Sequence, residues 1–149
     1  MKTMIIEWQR LVNDAGQTCD RCADTGDSTE VAFAKLKRCL VEVDIDVVLR
    51  KHTLDQSAFS ANPIESNQIK IDGKSLEQWL DGTTGQSICC GPCGDAECRT
   101  ITVDGITHEA IPEDLILRAG LLAAAEKLRI RSMQEEDSGC GLQREIRQL

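Results

Sequence analysis

Apolar and polar residues alternate with a period of two over two stretches of the chain, residues 4–12 and 45–49. That period is typical of a β-strand. Because the first stretch starts with mainly apolar residues, with Ile5 on the face opposite to Met4 and Ile6, this strand is expected to be buried on both sides. The segment between the two stretches has helical spacing instead, with Ala32, Leu36 and Leu40 on one stripe. A strand, a helix and a second strand in this order predict a right-handed parallel unit.

The predicted helix begins after an interruption at residues 25–28, where Asp27 or Ser28 can cap its first turn. It is expected to run to about Val41. Cys39 lies beside the apolar stripe of this helix. Because cysteine is among the most frequently buried residue types, the simplest expectation places Cys39 in the core.

The middle of the chain has shorter elements. Residues 52–63 show no regular pattern and are expected to be irregular. Alternation over residues 68–71 predicts a third strand, which Asp-Gly ends. Ser75 can cap a short helix over residues 76–80.

The last part of the chain contains the clearest turn. Asp104-Gly105 predicts a hairpin, because a favoured two-residue turn needs positive φ at both positions. Pro112 suits the first turn of a final helix. Together the elements predict an α/β fold with a mixed sheet of about four to five strands and flanking helices. We expect one domain over residues 1–130 and a weakly ordered tail over residues 131–149.

Cys19 and Cys22 follow the first predicted strand as a Cys-x-x-Cys pair. This spacing allows a reducible disulfide, in which one thiolate attacks and its neighbour resolves the mixed disulfide. The pair would lie at a carboxyl end of the sheet, where open α/β folds bind ligands. Thiol–disulfide chemistry is the leading hypothesis, and half of a metal site or structural thiols are the alternatives.

The surroundings of this pair predict only moderate reactivity. The interruption at residues 25–28 would separate the pair from the helix dipole, whose effect on a thiol decays within a turn. Negative charge raises the pKa of a thiol, and only Arg21 opposes the carboxylates nearby. Those carboxylates are Asp14, Asp20, Asp24, Asp27 and Glu30.

A second group of cysteines lies in a predicted cysteine-rich loop over residues 82–98, inserted into the fold. Its members are Cys89, Cys90, Cys93 and Cys98. Four thiolates suit zinc or another thiophilic metal ion, although an adjacent pair from one short loop would make an unusual cage. A redox relay or disulfide with the first pair, or structural thiols, are the alternatives. If the loop folds over the first pair, three or four thiols would meet at one site suited to arsenite or mercury.

Composition narrows the classes of partner. The 149 residues carry a net charge of −8, with 3% aromatic residues and no tyrosine, so binding to nucleic acid or to an anionic membrane surface is not expected. No apolar run is long enough to span a bilayer, and the N-terminus does not match a signal peptide. A cytoplasmic protein is expected. Eight cysteines in a reducing compartment favour redox thiols, metal ligands or core residues over structural disulfides.

Several motifs, spread over residues 3–128, occur in the same order in one protein family. They are Glu7-Trp8, Thr18-Cys19-x-x-Cys22-x-x-Thr25-Gly26, Ser66-Asn67-x-Ile69-x-Ile71-x-Gly73, Glu77-x-Trp79-Leu80, and Cys89-Cys90-x-x-Cys93-Gly94 followed by Cys98-Arg99-Thr100. The chain resembles an uncharacterised thioredoxin-like family labelled DF-family (seleno)proteins. The resemblance implies a thioredoxin-like fold and a redox role for Cys19 and Cys22. Thioredoxins place a cis-proline before the third strand, whereas Ser66-Asn67 stands there in this chain.

The residues and the resemblance together predict a thioredoxin-like thiol–disulfide redox protein, and an oxidoreductase activity is one form this could take. Cys19 would attack and Cys22 would resolve, with a thiol reductant or a disulfide-bearing protein as partner. The alternative is a protein that binds a soft metal or metalloid through the cysteines of the loop. Arg99, beside Cys98, is expected to form a salt bridge at the end of the hairpin rather than an anion site.

Overall fold

The structure, a computed structural model of the chain, describes residues 1–88 and 96–147, with side chains described as far as residue 130. The larger sheet has the strand order β2-β1-β3-β4, and the smaller one has the order β5-β6-β7. The strands are β1 (Lys2–Leu11), β2 (Ile45–Leu54), β3 (Gln68–Ile71), β4 (Lys74–Ser75), β5 (Thr83–Ile88), β6 (Glu97–Val103) and β7 (Ile106–His108). The helices are α1 (Asp20–Leu40), α2 (Gln56–Ala61), α3 (Leu76–Leu80) and α4 (Glu113–Arg147), and short 3-10 helices cover Val41–Val43 and Pro63–Glu65.

The predicted parallel unit is present. β1 and β2 pair in parallel from Lys2 opposite Ile45 to Leu11 opposite Leu54, with α1 between them in the chain. β3 and β4 then add in antiparallel orientation, which makes the sheet mixed. The prediction of an α/β fold with a mixed sheet is therefore confirmed at this level. The predicted hairpin around Asp104 forms a separate sheet with β5 instead of extending the larger one.

The start of α1 differs most from the prediction. The helix begins at Asp20 and continues through residues 25–28, where an interruption was expected. Thr25 and Thr29 are fully buried on its inner face. Between them Gly26 lies against the indole of Trp8, so close that a Cβ at position 26 would come within 2.4 Å of Trp8 Cη2. This buried face of α1 thus consists of small and hydroxyl-bearing residues, so the pattern of apolar residues in the sequence does not reveal it.

Two further expectations are wrong in detail. Residues 52–63 are regular for most of their length, because β2 continues to Leu54 and α2 follows. The N-cap of α2 is Asp55, whose Oδ1 accepts a hydrogen bond from Ala58 N at 2.7 Å. The beginning of the predicted cysteine-rich loop is the strand β5, which pairs antiparallel with β6. Its residues are too polar to indicate a strand without that partner.

One apolar cluster joins α1 and α4 to a single face of the larger sheet. Leu36 of α1, Ile116 of α4 and Ile6 of β1 are among its almost fully buried members. Cys39 lies outside this cluster and is exposed, so its expected place in the core is wrong. The helix turns that residue toward solvent, while Leu36 and Leu40 face the sheet.

α4 begins just after Pro112, with Glu113 and Asp114 in its first turn, as expected for the positive end of a helix dipole. No helix in the part of the chain that the structure describes is long and apolar enough to cross a membrane. The predicted division into a domain over residues 1–130 and a weakly ordered tail stays a prediction.

Candidate functional site

Cys19 and Cys22 lie where β1 leads into α1. Cys19 is the N-cap residue of α1, with an extended backbone (φ −74°, ψ 160°), and its Sγ accepts a hydrogen bond from Cys22 N at 3.4 Å. The helix therefore starts at the pair itself, and the partial positive charge of its N-terminus acts directly on Cys19 Sγ. The expectation that the helix dipole would lie at a distance from the pair is wrong.

Both cysteines belong to a small buried cluster that is separate from the main core. Cys19 is 2% exposed and Cys22 is fully buried. The cluster is built from β1, α1, α2 and β6, and it consists of Leu11, Cys19, Cys22, Phe59 and Cys98. Cys98, predicted as a metal ligand of the loop, is thus packed with the first pair although it lies far away in sequence.

Ser66 contacts the cysteine pair from the segment before β3. Its Oγ lies 3.6 Å from Cys22 Sγ and accepts a hydrogen bond from Leu11 N at 3.0 Å. The residue is fully buried. The Ser66-Asn67 segment stands where thioredoxins have their cis-proline, and in this chain it therefore places a hydroxyl group against a cysteine sulfur.

Arg21, inside the Cys-x-x-Cys, joins α1 to the ends of β5 and β6. Its guanidinium donates hydrogen bonds to the backbone oxygens of Ser87 (3.4 Å), Ile88 (3.1 Å) and Cys98 (3.3 Å), and to Ser87 Oγ at 2.9 Å. The side chain is buried, with Glu109 Oε2 at 3.5 Å on its exposed side. Arg21 thereby fixes the two strand ends that border residues 89–95 against the cysteine pair.

The charge around the pair differs from the one inferred from sequence. The nearby carboxylates of Asp14, Asp20, Asp24, Asp27 and Glu30 all belong to exposed residues, where water screens their charge. Arg21, by contrast, is a buried cation beside the cluster. The positive charge of Arg21 is therefore screened less than these negative charges, and its hydrogen bond to the Cys98 carbonyl holds it beside the cluster.

The predicted metal ligands are only partly described. Cys89, Cys90 and Cys93 lie outside the described residues, in the segment that joins β5 to β6. Within residues 1–88 and 96–130, no three Cys, His, Asp or Glu side chains are placed to hold a metal ion together. The assignment of Cys89, Cys90, Cys93 and Cys98 to a metal site stays a prediction.

Arg99 forms a buried ion pair beneath the site. Its Nη2 lies 2.6 Å from Glu77 Oε2, and its Nη1 donates to the backbone oxygen of Ile64 at 2.8 Å. Both charged side chains are about nine-tenths buried. The prediction of a salt bridge at Arg99 is confirmed, with a partner on α3 that the sequence did not identify.

An open cleft of about 420 Å³ lies beside the cysteine pair, between the first turns of α1 and the carboxyl-terminal ends of β1 and β2. Thr18 and Ala23, which flank the pair in sequence, line the cleft together with Trp8 and Arg10. The guanidinium of Arg10 stacks on the indole of Trp8, 4.2 Å from its centroid. Burial lowers the pKa of Arg10, and attraction to a Cys22 thiolate partly offsets that effect.

Four contributors to this region were not assigned by sequence reasoning: Arg10, the hydrogen-bonding role of Arg21, Phe59 and the contact of Ser66 with Cys22. Only Ser66 had a signal, its place in a motif shared with the resembling family. The others are ordinary residues whose role depends on which strand ends they meet.

Comparison with known proteins gives a family without a known activity. A family model described as a domain of unknown function, DUF2703, matches residues 4–120. An uncharacterized protein of Archaeoglobus fulgidus is 38% identical over 113 residues, which cover 76% of this chain and 82% of that protein. No solved structure matches the chain.

Proposed function

The chain belongs to the DUF2703 family, and we propose that it is a thiol–disulfide redox protein in which Cys19 attacks and Cys22 resolves. The observation that carries the proposal is the position of Cys19 Sγ, which caps α1 and accepts the N–H of Cys22. A hydrogen bond and a helix N-terminus both favour a thiolate over a thiol. Thiolates are the nucleophiles of disulfide exchange.

The exchange itself needs no other group. The Cys19 thiolate attacks one sulfur of a disulfide substrate, a mixed disulfide forms, and the first half of the substrate leaves as a thiolate. The Cys22 thiolate then attacks Cys19 Sγ and releases the second half. The substrate takes up two electrons and, from solvent, two protons, while the protein becomes a Cys19–Cys22 disulfide. A small thiol or dithiol reductant reverses both steps.

The neighbours of Cys22 suit its resolving role. Cys22 is fully buried and Cys19 is 2% exposed, so Cys19 is the sulfur nearer to solvent and to a substrate. Ser66 Oγ, at 3.6 Å, can donate a hydrogen bond to a Cys22 thiolate as it forms. The nearby charge of Arg10 also favours that thiolate. Resolution is thereby an internal step, governed by groups of this chain.

The strand order supports the finer proposal of a thioredoxin-like fold. The Cys-x-x-Cys follows the first strand of a parallel β-α-β unit and opens its helix. That is the setting in which such a pair is interpreted as a thioredoxin-like redox motif. The antiparallel addition of β3 brings Ser66 to the sulfurs, at the segment compared with the cis-proline.

The test is to trap the mixed disulfide. The Cys22→Ser variant, treated with 2-hydroxyethyl disulfide and then mapped by peptide mass spectrometry, is expected to retain one mercaptoethanol adduct on Cys19. The wild-type chain should instead contain a Cys19–Cys22 disulfide. Cys39→Ser is the matched control, since it removes an exposed cysteine of the same helix and should behave as wild type. An adduct pattern that avoids Cys19 in folded Cys22→Ser, yet appears there after denaturation, would contradict the proposal.

A second candidate function is binding of a soft metal or metalloid ion by thiolates. The observation that favours it is that Cys98 shares a buried cluster with Cys19 and Cys22, and thiolates are the ligands that thiophilic ions prefer. These three sulfurs by themselves are not placed to hold an ion together. Further ligands would have to come from Cys89, Cys90 or Cys93. Metal content and reactive thiols, measured together on protein purified without reductant or chelator, separate the two. A bound ion lost in Cys98→Ser but retained in Cys39→Ser supports metal binding, and metal-free protein with a reducible Cys19–Cys22 disulfide supports redox chemistry.

A further inference from the structure

Two opposite charges in the cleft beside the cysteine pair have no ionic partner among the side chains that the structure describes. Arg10 has one hydrogen bond, from Nη1 to the backbone oxygen of His52 at 3.3 Å, and no carboxylate lies within 4.0 Å of it among the described side chains. Asp27, on the facing wall, likewise has no cationic partner in the described part of the chain. The third and fourth charges of the cleft, Lys51 and Glu30, do pair with each other.

Arg38 and Arg50 also lack a carboxylate partner among the described side chains, but both are exposed, whereas Arg10 is half-buried and lines the cleft. The guanidinium has five N–H donors, and the stacking of Arg10 on Trp8 fixes its plane while using few of them. A planar guanidinium held in this way matches the two oxygens of a carboxylate. Arg10 is therefore suited to bind the carboxylate of a small ligand.

Two polar atoms in the cleft wall add to this picture. Trp8 Nε1 and Thr18 Oγ1 are buried and have no hydrogen-bond partner among the residues that the structure describes. Proteins pair nearly all such atoms, with protein groups or with water. Trp8 and Thr18 both line the cleft, so these two unpaired atoms lie just behind its surface, closed off from solvent in this conformation.

We propose that this cleft binds a small zwitterionic disulfide of the amino-acid type, with Arg10 receiving its carboxylate and Asp27 its ammonium group. A volume of about 420 Å³ accommodates a molecule of that size but no folded protein. Thr18, which precedes Cys19 in the chain, lines the cleft, so the cleft adjoins the segment that carries the attacking thiol. Cys19 itself is 2% exposed, and its sulfur has to turn toward the cleft for exchange to occur. This inference names the substrate class of the proposed redox site and rests on that function.

The experiment compares three disulfides that share a reactive S–S bond. Cystine carries carboxylate and ammonium groups, cystamine carries only the ammonium groups, and 2-hydroxyethyl disulfide is neutral. The full chain is reduced, and its rate of oxidation by each probe is measured below saturation. We expect cystine to react about tenfold or more faster than the neutral probe, since a charge-assisted Arg–carboxylate contact has that strength. Cystamine should oxidise the chain much more slowly than cystine.

In the Arg10→Gln variant the ratio of the cystine rate to the neutral-probe rate should fall to about one. The control variant Arg50→Gln, which changes an exposed arginine outside the cleft, should keep the wild-type ratio. The ratio within one variant is the readout because Arg10 also affects Cys22, and that effect changes both rates alike. Equal rates for all three probes in the wild-type chain would overturn the inference and leave the redox function intact. So would a ratio that Arg10→Gln leaves unchanged.

A binding measurement makes the inference independent of turnover. In a Cys19→Ser chain with Trp79→Phe, Trp8 is the single tryptophan and reports on the cleft. S-methylcysteine should quench or shift its emission, and the methyl ester, which lacks a carboxylate, should bind about tenfold more weakly. If this variant binds S-methylcysteine but none of the three disulfide probes oxidises the wild-type chain, the result would support the cleft assignment and count against the redox function. No binding of S-methylcysteine would overturn the assignment.

Discussion

The contact between Gly26 and Trp8 makes a sharp prediction, because two effects of a Gly26→Ala change have opposite signs. In an unhindered helix interior, alanine is more stable than glycine by about 1 kcal/mol. Here the added Cβ would lie 2.4 Å from Trp8 Cη2 and 2.7 Å from Trp8 Cζ2, distances that real Cβ atoms essentially never show. Neither the ring nor the backbone of α1 can move freely, since Trp8 is buried under Arg10.

Overpacking a rigid core typically costs about 1–3 kcal/mol, and contacts this short belong at the upper end of that range. Subtracting the helix-propensity gain of about 1 kcal/mol leaves a net loss of about 1–2 kcal/mol in the free energy of unfolding. For a chain of this length that corresponds to a fall in Tm of about 3–6 °C. Urea unfolding followed by far-UV circular dichroism would measure it.

The matched control removes the clash. Trp8→Phe eliminates the outer ring atoms that the new Cβ would meet, so Gly26→Ala in that background should stabilise the chain by about 1 kcal/mol. The reversal of sign is the diagnostic. If Gly26→Ala is neutral or stabilising in the wild-type background, Gly26 does not lie against Trp8, and the continuous start of α1 at the cysteine pair would be refuted with it.

Two further changes test how the site is held. Arg21→Met should lower the free energy of unfolding by about 2–4 kcal/mol, because it leaves the buried carbonyl of Cys98 and the part-buried carbonyls of Ser87 and Ile88 without their donor. Urea titration measures the loss, and an effect no larger than that of the exposed Arg38→Met would contradict the tethering role. Glu77→Ala should cost about 3–5 kcal/mol by leaving the buried guanidinium of Arg99 uncompensated. Adding Arg99→Met to Glu77→Ala should recover part of that loss. If Glu77→Ala alone lowers the free energy of unfolding by less than about 1 kcal/mol, the ion pair is not desolvated.

Local signals predicted the elements whose shape is set by a few adjacent residues. Ser75 caps α3 through a capping box with Gln78, as its position indicated. Asp104 and Gly105 both have positive φ, as the hairpin turn requires. α2 had a comparable signal in Asp55, which caps it, but the polar residues around it concealed the helix.

Elements that depend on distant partners were missed. β5 exists because β6 supplies its hydrogen bonds, and its polar residues have no strand pattern without that partner. The first turns of α1 are buried through Thr25, Gly26 and Thr29, and a search for an apolar stripe passes over such residues. Cys39 was assigned by the average behaviour of cysteine, but its angular position on α1 turns it to solvent.

By itself the sequence determined the β-α-β order, the turns and the presence of a thiol pair after the first strand, because these follow from periodicity and from residues next to each other. Only the tertiary structure decided what surrounds the pair. Around the pair lie Ser66, from the segment before the antiparallel strand β3, Cys98, from the second sheet, and Arg10, from the end of β1. Such contacts depend on register and packing between segments far apart in the chain, and no local pattern records them.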